Sequence, residues 1–285
     1  MEKIKQNRVW SFVIVALVYI IASALGILIF NLLNLEWWLG ILIADCISTA
    51  IVFIFSLIFK NASVYDPYWS VQPIVIAFGA STLAKVSSAG LLLIIAITLW
   101  GVRLTLNWAY TFKSLNHQDW RYTMLKEKTG RIYPLINFVG IHMVPTLIVY
   151  MCTLPAVYAI LFIKSFNPVS IIFFALCIFS FTMQGIADSQ MHKYRKTKET
   201  PFIRNGLWKY SRHPNYLGEI LMWWGVGIFT VINAPSAWYL LLGALLNTLL
   251  FLFVSLPMAE KRQAKKEGFQ EYKSKTRLLL PIYKK

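Results

Sequence analysis

Between Gly206 and Glu219 the chain reads GLWKYSRHPNYLGE, a run that sets cationic and polar side chains immediately before an apolar stretch. Pro214 starts a helix without sacrificing a needed N–H, and Asn215 and Glu219 then share one face, four residues apart. A carboxylate one turn inside an apolar segment is costly and implies a partner and a purpose. Arg204, Lys209, Arg212 and His213 crowd just outside the same helix start, where free N–H groups and the helix dipole already favour anions. This is chemistry suited to a phosphate-bearing ligand.

Four further clusters carry polar chemistry, and each also has a plainer explanation. In Tyr65-Asp66-Pro67-Tyr68-Trp69, Pro67 opens a helix and Asp66 favours its positive end; an aromatic interface belt would look the same. Trp100-Gly101-Val102-Arg103 closes an apolar run and leads to Asn107 and His117-Gln118-Asp119-Trp120-Arg121-Tyr122. Arg103 there either serves a site or snorkels to headgroups. Asp188, His192 and Arg195, spaced i, i+4 and i+7, share a face of any continuing helix, as would a solvated extension. No second His or Cys pair accompanies them, so no metal site is expected. Glu260-Lys261-Arg262 precedes a tail with Phe269, Tyr272 and Arg277 to Pro281, whose aromatic and apolar residues suit a docked segment better than a surface charge run. No GxGxxG fingerprint or P-loop is present in a soluble context.

The elements that must position these residues are membrane helices. The 285-residue chain is 58% hydrophobic and 14% charged, with a mean hydropathy of +0.58, a balance foreign to water-soluble domains. Charge-poor runs cover Val9 to Phe30, Trp37 to Phe59, Val71 to Leu83, Ala89 to Leu106, Leu135 to Ile163, Pro168 to Ala187, Leu217 to Ile232 and Ala237 to Leu256. The expected fold is an all-α polytopic helix bundle of about eight transmembrane helices, or seven if the short Val71 to Leu83 run fails to cross. Pro145 and Pro155 predict a kink or tilt in the overlong fifth run. With both termini cytoplasmic, eight crossings leave only Lys85 and Lys164 of the 28 Lys and Arg residues outside, as the positive-inside rule demands. The net charge of +16 therefore reads as topology and attraction to anionic lipid, not as nucleic-acid binding. Cys46, Cys152 and Cys177 lie in apolar runs as core residues. The first span lacks a cleavage pattern and reads as a retained helix. One membrane domain, residues 1–285, is the simplest organisation. A Lys- and Ile-rich composition points to a bacterial plasma membrane, with the polar clusters on its cytoplasmic side.

With these residues in view, the chain resembles the steroid 5-alpha-reductase-like superfamily of membrane reductases, in its bacterial domain of unknown function 1295 branch. The resemblance is carried by Gly206-Leu207-Trp208, Tyr210 to Glu219, Phe269-x-x-Tyr272 and Leu279-Leu280-Pro281. Trp100 to Leu104, Asp119 to Tyr122 and Tyr65 to Ser70 resemble that branch's own N-terminal motifs. It implies NADPH-dependent reduction of a carbon-carbon double bond conjugated to a carbonyl, with residues 188–285 as the cofactor-binding portion. By position, Asp188, Arg195, Arg204, Tyr210, Asn215 and Glu219 match cofactor contacts, and Arg103, Arg212, His213, Tyr216, Glu260 and Arg262 complete the candidate set. Arginines suit phosphates through paired hydrogen bonds. Hydride addition also needs an acid on the carbonyl oxygen, for which Asp66 and Tyr68 are the candidates. The steroid enzymes look to have a Gln-Glu pair near the Asp66 region and a Tyr near Trp100. This chain departs at both places, so a terpenoid, polyprenyl or fatty enone is as plausible a substrate as a steroid.

Two other classes stay open. Arg212 to Gly218 also resembles membrane methyltransferases of the isoprenylcysteine carboxyl type, which use S-adenosylmethionine, although such enzymes usually have fewer spans and lack the Tyr65 and Trp100 motifs. A non-enzymatic lipid-binding or transport protein is the third, and transport would favour inverted repeats, which the sequence does not show.

Overall fold

The computed structural model describes residues 5–281; Lys3, Lys284 and Lys285, which the charge count places with the cytoplasmic ends, lie outside the described residues. Among the described residues every regular element is a helix, apart from an isolated bridge between Ser211 and Arg277. The α-helices longer than one turn are α1 (Arg8–Leu33), α2 (Trp37–Ile58), α3 (Tyr68–Ser81), α4 (Ser88–Thr111), α5 (Trp120–Thr129), α6 (Val144–Phe162), α7 (Ile171–Thr197), α8 (Pro214–Asn233), α9 (Leu242–Leu250), α10 (Leu256–Gln263) and α11 (Phe269–Lys275). Among the described residues seven stretches are long and apolar enough to cross a membrane: Arg8–Leu33, Trp37–Ile58, Ser88–Thr111, Trp120–Phe162, Pro168–Thr197, Pro214–Asn233 and Pro235–Gln263.

The eighth expected crossing, Val71 to Leu83, is the 14-residue helix α3. At 1.5 Å per residue it extends about 21 Å, short of the ~30 Å hydrocarbon core. It is short because the chain turns first. Asn61 caps a 3-10 turn, Ala62–Tyr65, by accepting from Ser63 N, and Pro67 precedes the first turn of the helix. That turn sinks into the bundle. Ala62, Ser63, Val64 and Tyr65 are buried, and the Ser70 hydroxyl meets Thr105 at 2.8 Å. The stretch from Leu115 to Asp119 covers it: Asn61 Nδ2 donates to Leu115 O at 2.6 Å, Ala62 N to Gln118 Oε1 at 3.0 Å and Asp119 N to Ser63 Oγ at 2.9 Å. A short helix thus places Tyr65 and Asp66 inside the bundle.

The overlong fifth run begins earlier than the hydropathy suggests, at Trp120, where Asp119 accepts from Arg121 N. Its distortion is a π-helical stretch, Asn137–Met143, just before Pro145. A second, Phe251–Ser255, joins α9 to α10. Such segments widen a helix by one residue per turn and are frequent at functional sites.

The most extensive helix packing is that of α7 with α8. A Cβ on Gly218 would stand 2.5 Å from Gln184 Cγ and 2.7 Å from Ser180 O, so only glycine allows this approach, the small-residue packing typical of membrane helices. It carries Glu219 up against α7. Gly218→Ala is expected to destabilise the protein by about 1–3 kcal/mol through overpacking, read as a lower thermal midpoint in detergent. Gly79→Ala, which meets nothing within 4 Å, is expected to leave that midpoint unchanged.

Candidate functional site

Glu219 lies on the second turn of α8 and is 4% exposed. Its Oε1 accepts from Trp223 Nε1 at 2.9 Å, and its Oε2 from Trp100 Nε1 at 2.9 Å and Gln184 Nε2 at 3.1 Å. Three donors from α4, α7 and α8 converge on one carboxylate, and a charge so supplied can remain in an apolar core. Gln184 passes the network on, accepting from Arg103 through its Oε1. Arg103 also binds Asp188 at 2.8 Å, and Asp188 accepts from Asn215 Nδ2 at 3.5 Å. The i, i+3 spacing of Trp100 and Arg103 turns Trp100 to α8 and Arg103 to α7 from one face of α4, as the i, i+4 spacing of Gln184 and Asp188 turns both toward α4.

A second polar group comes from the sunken turn. Tyr122 on α5 donates its hydroxyl to Asp66 Oδ1 at 2.7 Å, and Asp119 holds Arg121 at 2.8 Å. Burial raises the Asp66 carboxyl to about 6, against the opposing pull of Arg121 and the Tyr122 hydroxyl.

Both groups face one cavity of ≈490 Å³. Asp66, Arg103, Asp188, Asn215, Tyr216 and Glu219 all line it, as do Trp69, Trp108 and Trp120. The two π-helical stretches contribute Gly140, Ile141, Phe251 and Val254, giving that part of the wall an apolar surface. Two buried donors on the wall have no partner: Arg103 Nε and Asn247 Nδ2. Buried N–H groups rarely go unpaired in a finished site, so the wall presents hydrogen bonds for a ligand to accept. A smaller apolar hollow of ≈200 Å³ beside Phe179, Leu207 and Pro281 presents no ionisable group.

Other residues expected at the site stand elsewhere. Tyr68 does not pair with Asp66; it is 2% exposed and donates to Asp45 Oδ1 on α2 at 2.9 Å. The partner of Asp66 is Tyr122. Arg212 is spent on the C-terminal tail: Nε and Nη2 grip Glu260 at 3.0 Å each, and Nη1 donates to Thr276 O. His213 Nε2 meets the same carboxylate at 2.8 Å. Arg212, His213 and Glu260 therefore form a clamp that fastens the tail, with Tyr272 Oη donating to Trp208 O, and none of the three lines the cavity. Arg195, Arg204 and Tyr210 are exposed. Arg262 lies 4.2 Å over the ring of Trp120 at the cavity's edge. Close by is Lys266, whose pKa is lowered by partial burial and by the neighbouring Arg262 and Arg195. Three cations thus gather on the rim. Among the described residues no group of three or more His, Cys, Asp or Glu is placed to hold a metal ion.

The sequence reading missed Gln184, Trp223, Asn247, Asp45 and Lys266. Spacing offered a signal for two of them, since Gln184 precedes Asp188 by four residues and Trp223 follows Glu219 by four. Asp45 and Asn247 were visible as lone polar residues within apolar runs.

The family described as "Protein of unknown function (DUF1295)" matches residues 52–276, a range that holds both polar groups and the clamp. The uncharacterized protein C594.04c of Schizosaccharomyces pombe is 28% identical over 228 residues, which cover 69% of this chain and 63% of that protein. The chain thus spans less than two thirds of that relative's length. No solved structure matches.

The clamp is expected to act on the tail and not on a ligand. Breaking a buried ion pair on one side leaves uncompensated charge, so Glu260→Ala should speed trypsin cleavage between Lys273 and Arg277 by at least tenfold, equivalent to about 1.4 kcal/mol. Peptide mass mapping of a time course reads the change.

Proposed function

The chain belongs to the DUF1295 family, and we propose that this member is a membrane-embedded, NADPH-dependent reductase of a carbon-carbon double bond conjugated to a carbonyl in a lipophilic substrate. One observation carries the reading. A single cavity holds a carboxylate and amide set suited to a nicotinamide on one wall, the Tyr122–Asp66 acid pair on another, and an apolar surface beside them.

The residues fit the cofactor. Arg103 Nε and Asn247 Nδ2 offer free N–H groups to a carboxamide or ribose oxygen, and Asp188, Asn215 and Glu219 stand on the same wall to accept from an amide N–H. The cavity falls within the ~300–1,000 Å³ usual for small-molecule sites. Its ≈490 Å³ suits the nicotinamide end, with the phosphates left to Arg195, Arg262 and Lys266 on the rim. When bound, the nicotinamide supplies a hydride to the substrate's β-carbon.

The chain's own residues polarise the substrate. With Asp66 protonated, the Tyr122–Asp66 pair owns two O–H groups and uses one in its mutual bond. The other is free to donate to the carbonyl oxygen as negative charge develops there. With Asp66 ionised, the Tyr122 hydroxyl is taken up by the carboxylate and the pair offers no donor. The Trp69, Trp108 and Trp120 side chains exclude water, which strengthens that bond. The cation-rich helix ends fit an active site facing the cytoplasm, in keeping with the positive-inside rule.

A second reading has one observation in its favour. The cavity wall carries four carboxylates, Asp66, Asp119, Asp188 and Glu219, against Arg103 and Arg121, an excess that would suit the sulfonium of S-adenosylmethionine in a methyltransferase.

Titration of detergent-solubilised protein with NADPH, NADH and S-adenosylmethionine, followed by tryptophan quenching and energy transfer to the nicotinamide, separates the two. The expected result is saturable NADPH binding, weakened at least tenfold by Asn215→Ala; binding of S-adenosylmethionine alone would overturn the reductase. A pH profile tests the acid. The protonated form of Asp66 prevails below about 6, so turnover should decline as pH rises through that value, and Asp66→Asn should lower the rate and abolish the decline.

A further inference from the structure

Asp45 sits near the middle of α2, 3% exposed, in a span otherwise free of charge from Trp37 to Ile58. No ion pair reaches it among the described residues. Its partners are neutral: the Tyr68 hydroxyl at 2.9 Å and the Gln72 side chain. A carboxyl in an apolar span without a counter-ion is held far more cheaply with its proton than without it.

From Asp45 a line of hydroxyls leads to the cavity. Tyr68 touches Asp45 at one end, and the Thr49 side chain faces the Tyr68 hydroxyl. Thr49 Oγ1 lies 3.0 Å from Thr146 Oγ1, which lies 2.8 Å from Tyr65 Oη. Tyr65 forms part of the cavity wall, next to Asp66. Every member both donates and accepts, so a proton can be handed along the line by turning each hydroxyl in sequence. Asp45 itself does not border the cavity.

We propose that Asp45 is a proton store for the cavity, discharged through Tyr68, Thr49, Thr146 and Tyr65. Its use rests on the reductase reading, although the store itself does not. Reduction of a conjugated double bond needs two electrophilic groups: one on the carbonyl oxygen, supplied by the Tyr122–Asp66 pair, and one proton for the α-carbon. After the β-carbon has gained a hydride, the α-carbon of the resulting enolate takes the Tyr65 hydroxyl proton. Tyr65 is refilled from Thr146, Thr146 from Thr49, Thr49 from Tyr68, and Tyr68 from Asp45. The substrate gains one hydride and one proton, and Asp45 is left as a carboxylate. When product leaves and water enters the cavity, the same line runs in reverse and returns the proton. The arrangement delivers one proton to a site from which water is excluded, which explains why an ionisable residue is kept in a span where its partners are all neutral.

Infrared spectroscopy of the full-length protein in detergent tests the store without any turnover. The expected spectrum has a protonated-carboxyl C=O band that shifts slowly in D2O, is lost in Asp45→Asn and survives in Asp66→Asn. Thr146→Val, which interrupts the line and leaves Asp45 in place, should keep the band and slow its D2O shift at least tenfold. Thr146→Ser should restore it. With NADPH and an enone, Asp45→Asn and Thr146→Val should each lower kcat at least tenfold at unchanged NADPH affinity. A band unaltered by Asp45→Asn, or D2O exchange as fast in Thr146→Val as in the wild type, would overturn the proposal. A wild-type protein that shows the band and its Thr146-dependent exchange but reduces no enone would retain the store and discard the reductase.

Discussion

The cost of keeping the Glu219 carboxylate inside a membrane bundle governs the arrangement of everything near it. Its two oxygens are satisfied by two indole N–H groups and one amide from three helices, and removing any of these donors exposes an apolar core to unbalanced charge. The close approach at Gly218 exists to bring Gln184 within reach. Trp100 and Trp223 pack edge to face, with ring centroids 4.8 Å apart, so the donors are also the core. Gln184 then hands its oxygen to Arg103, Arg103 its charge to Asp188, and Asp188 an acceptor to Asn215. The polar ladder is thus a chain of compensations that begins with one buried charge and ends at an open cavity, where unpaired donors can be used by a ligand.

The opposite wall follows from a different constraint, the length of α3. A helix of 14 residues obliges the preceding turn to enter the bundle, and a turn in that position must have its backbone groups satisfied by protein. The Leu115 to Asp119 stretch does this through Asn61, Ala62 and Ser63, and in doing so sets Tyr122 against Asp66. The Tyr122–Asp66 hydrogen bond is therefore a consequence of how a buried turn is sealed. The same turn brings Tyr65 and Tyr68 into the bundle, where they meet Thr146 and Asp45.

The cationic residues divide by what they face. Arg212 has a carboxylate within hydrogen-bond distance and is used up in structure, whereas Arg195, Arg262 and Lys266 face one another and solvent. Mutual repulsion among three cations is relieved only by an anion or by water, so the unspent positive charge lies with these three and not with the clamp. At the helix start Tyr216 N already donates to Asn215 Oδ1 and Leu217 N to His213 O, and Arg212 and His213 are no longer available beside it.

Hydropathy and the 3.6-residue period settled a great deal unaided: an all-helical membrane protein, seven of the crossings, and the presence of Glu219, Asn215, Asp188, Arg103 and Asp66 in polar chemistry, since charge in an apolar run always needs an explanation. Pairing across the bundle was decided only by the tertiary structure. Tyr68 and Tyr122 are both tyrosines near Asp66 or its partners in the chain, and no local rule states which hydroxyl a sunken turn will meet. Arg212 and Arg262 look alike in sequence; the docking of a tail some 60 residues away determines which one is free. Asp45 passed as an ordinary member of a span, because its meaning depends on hydroxyls from α3 and α6 that are adjacent only in space. Local pattern reports that a polar group lies in an apolar environment, and long-range packing alone determines the partner that offsets its desolvation.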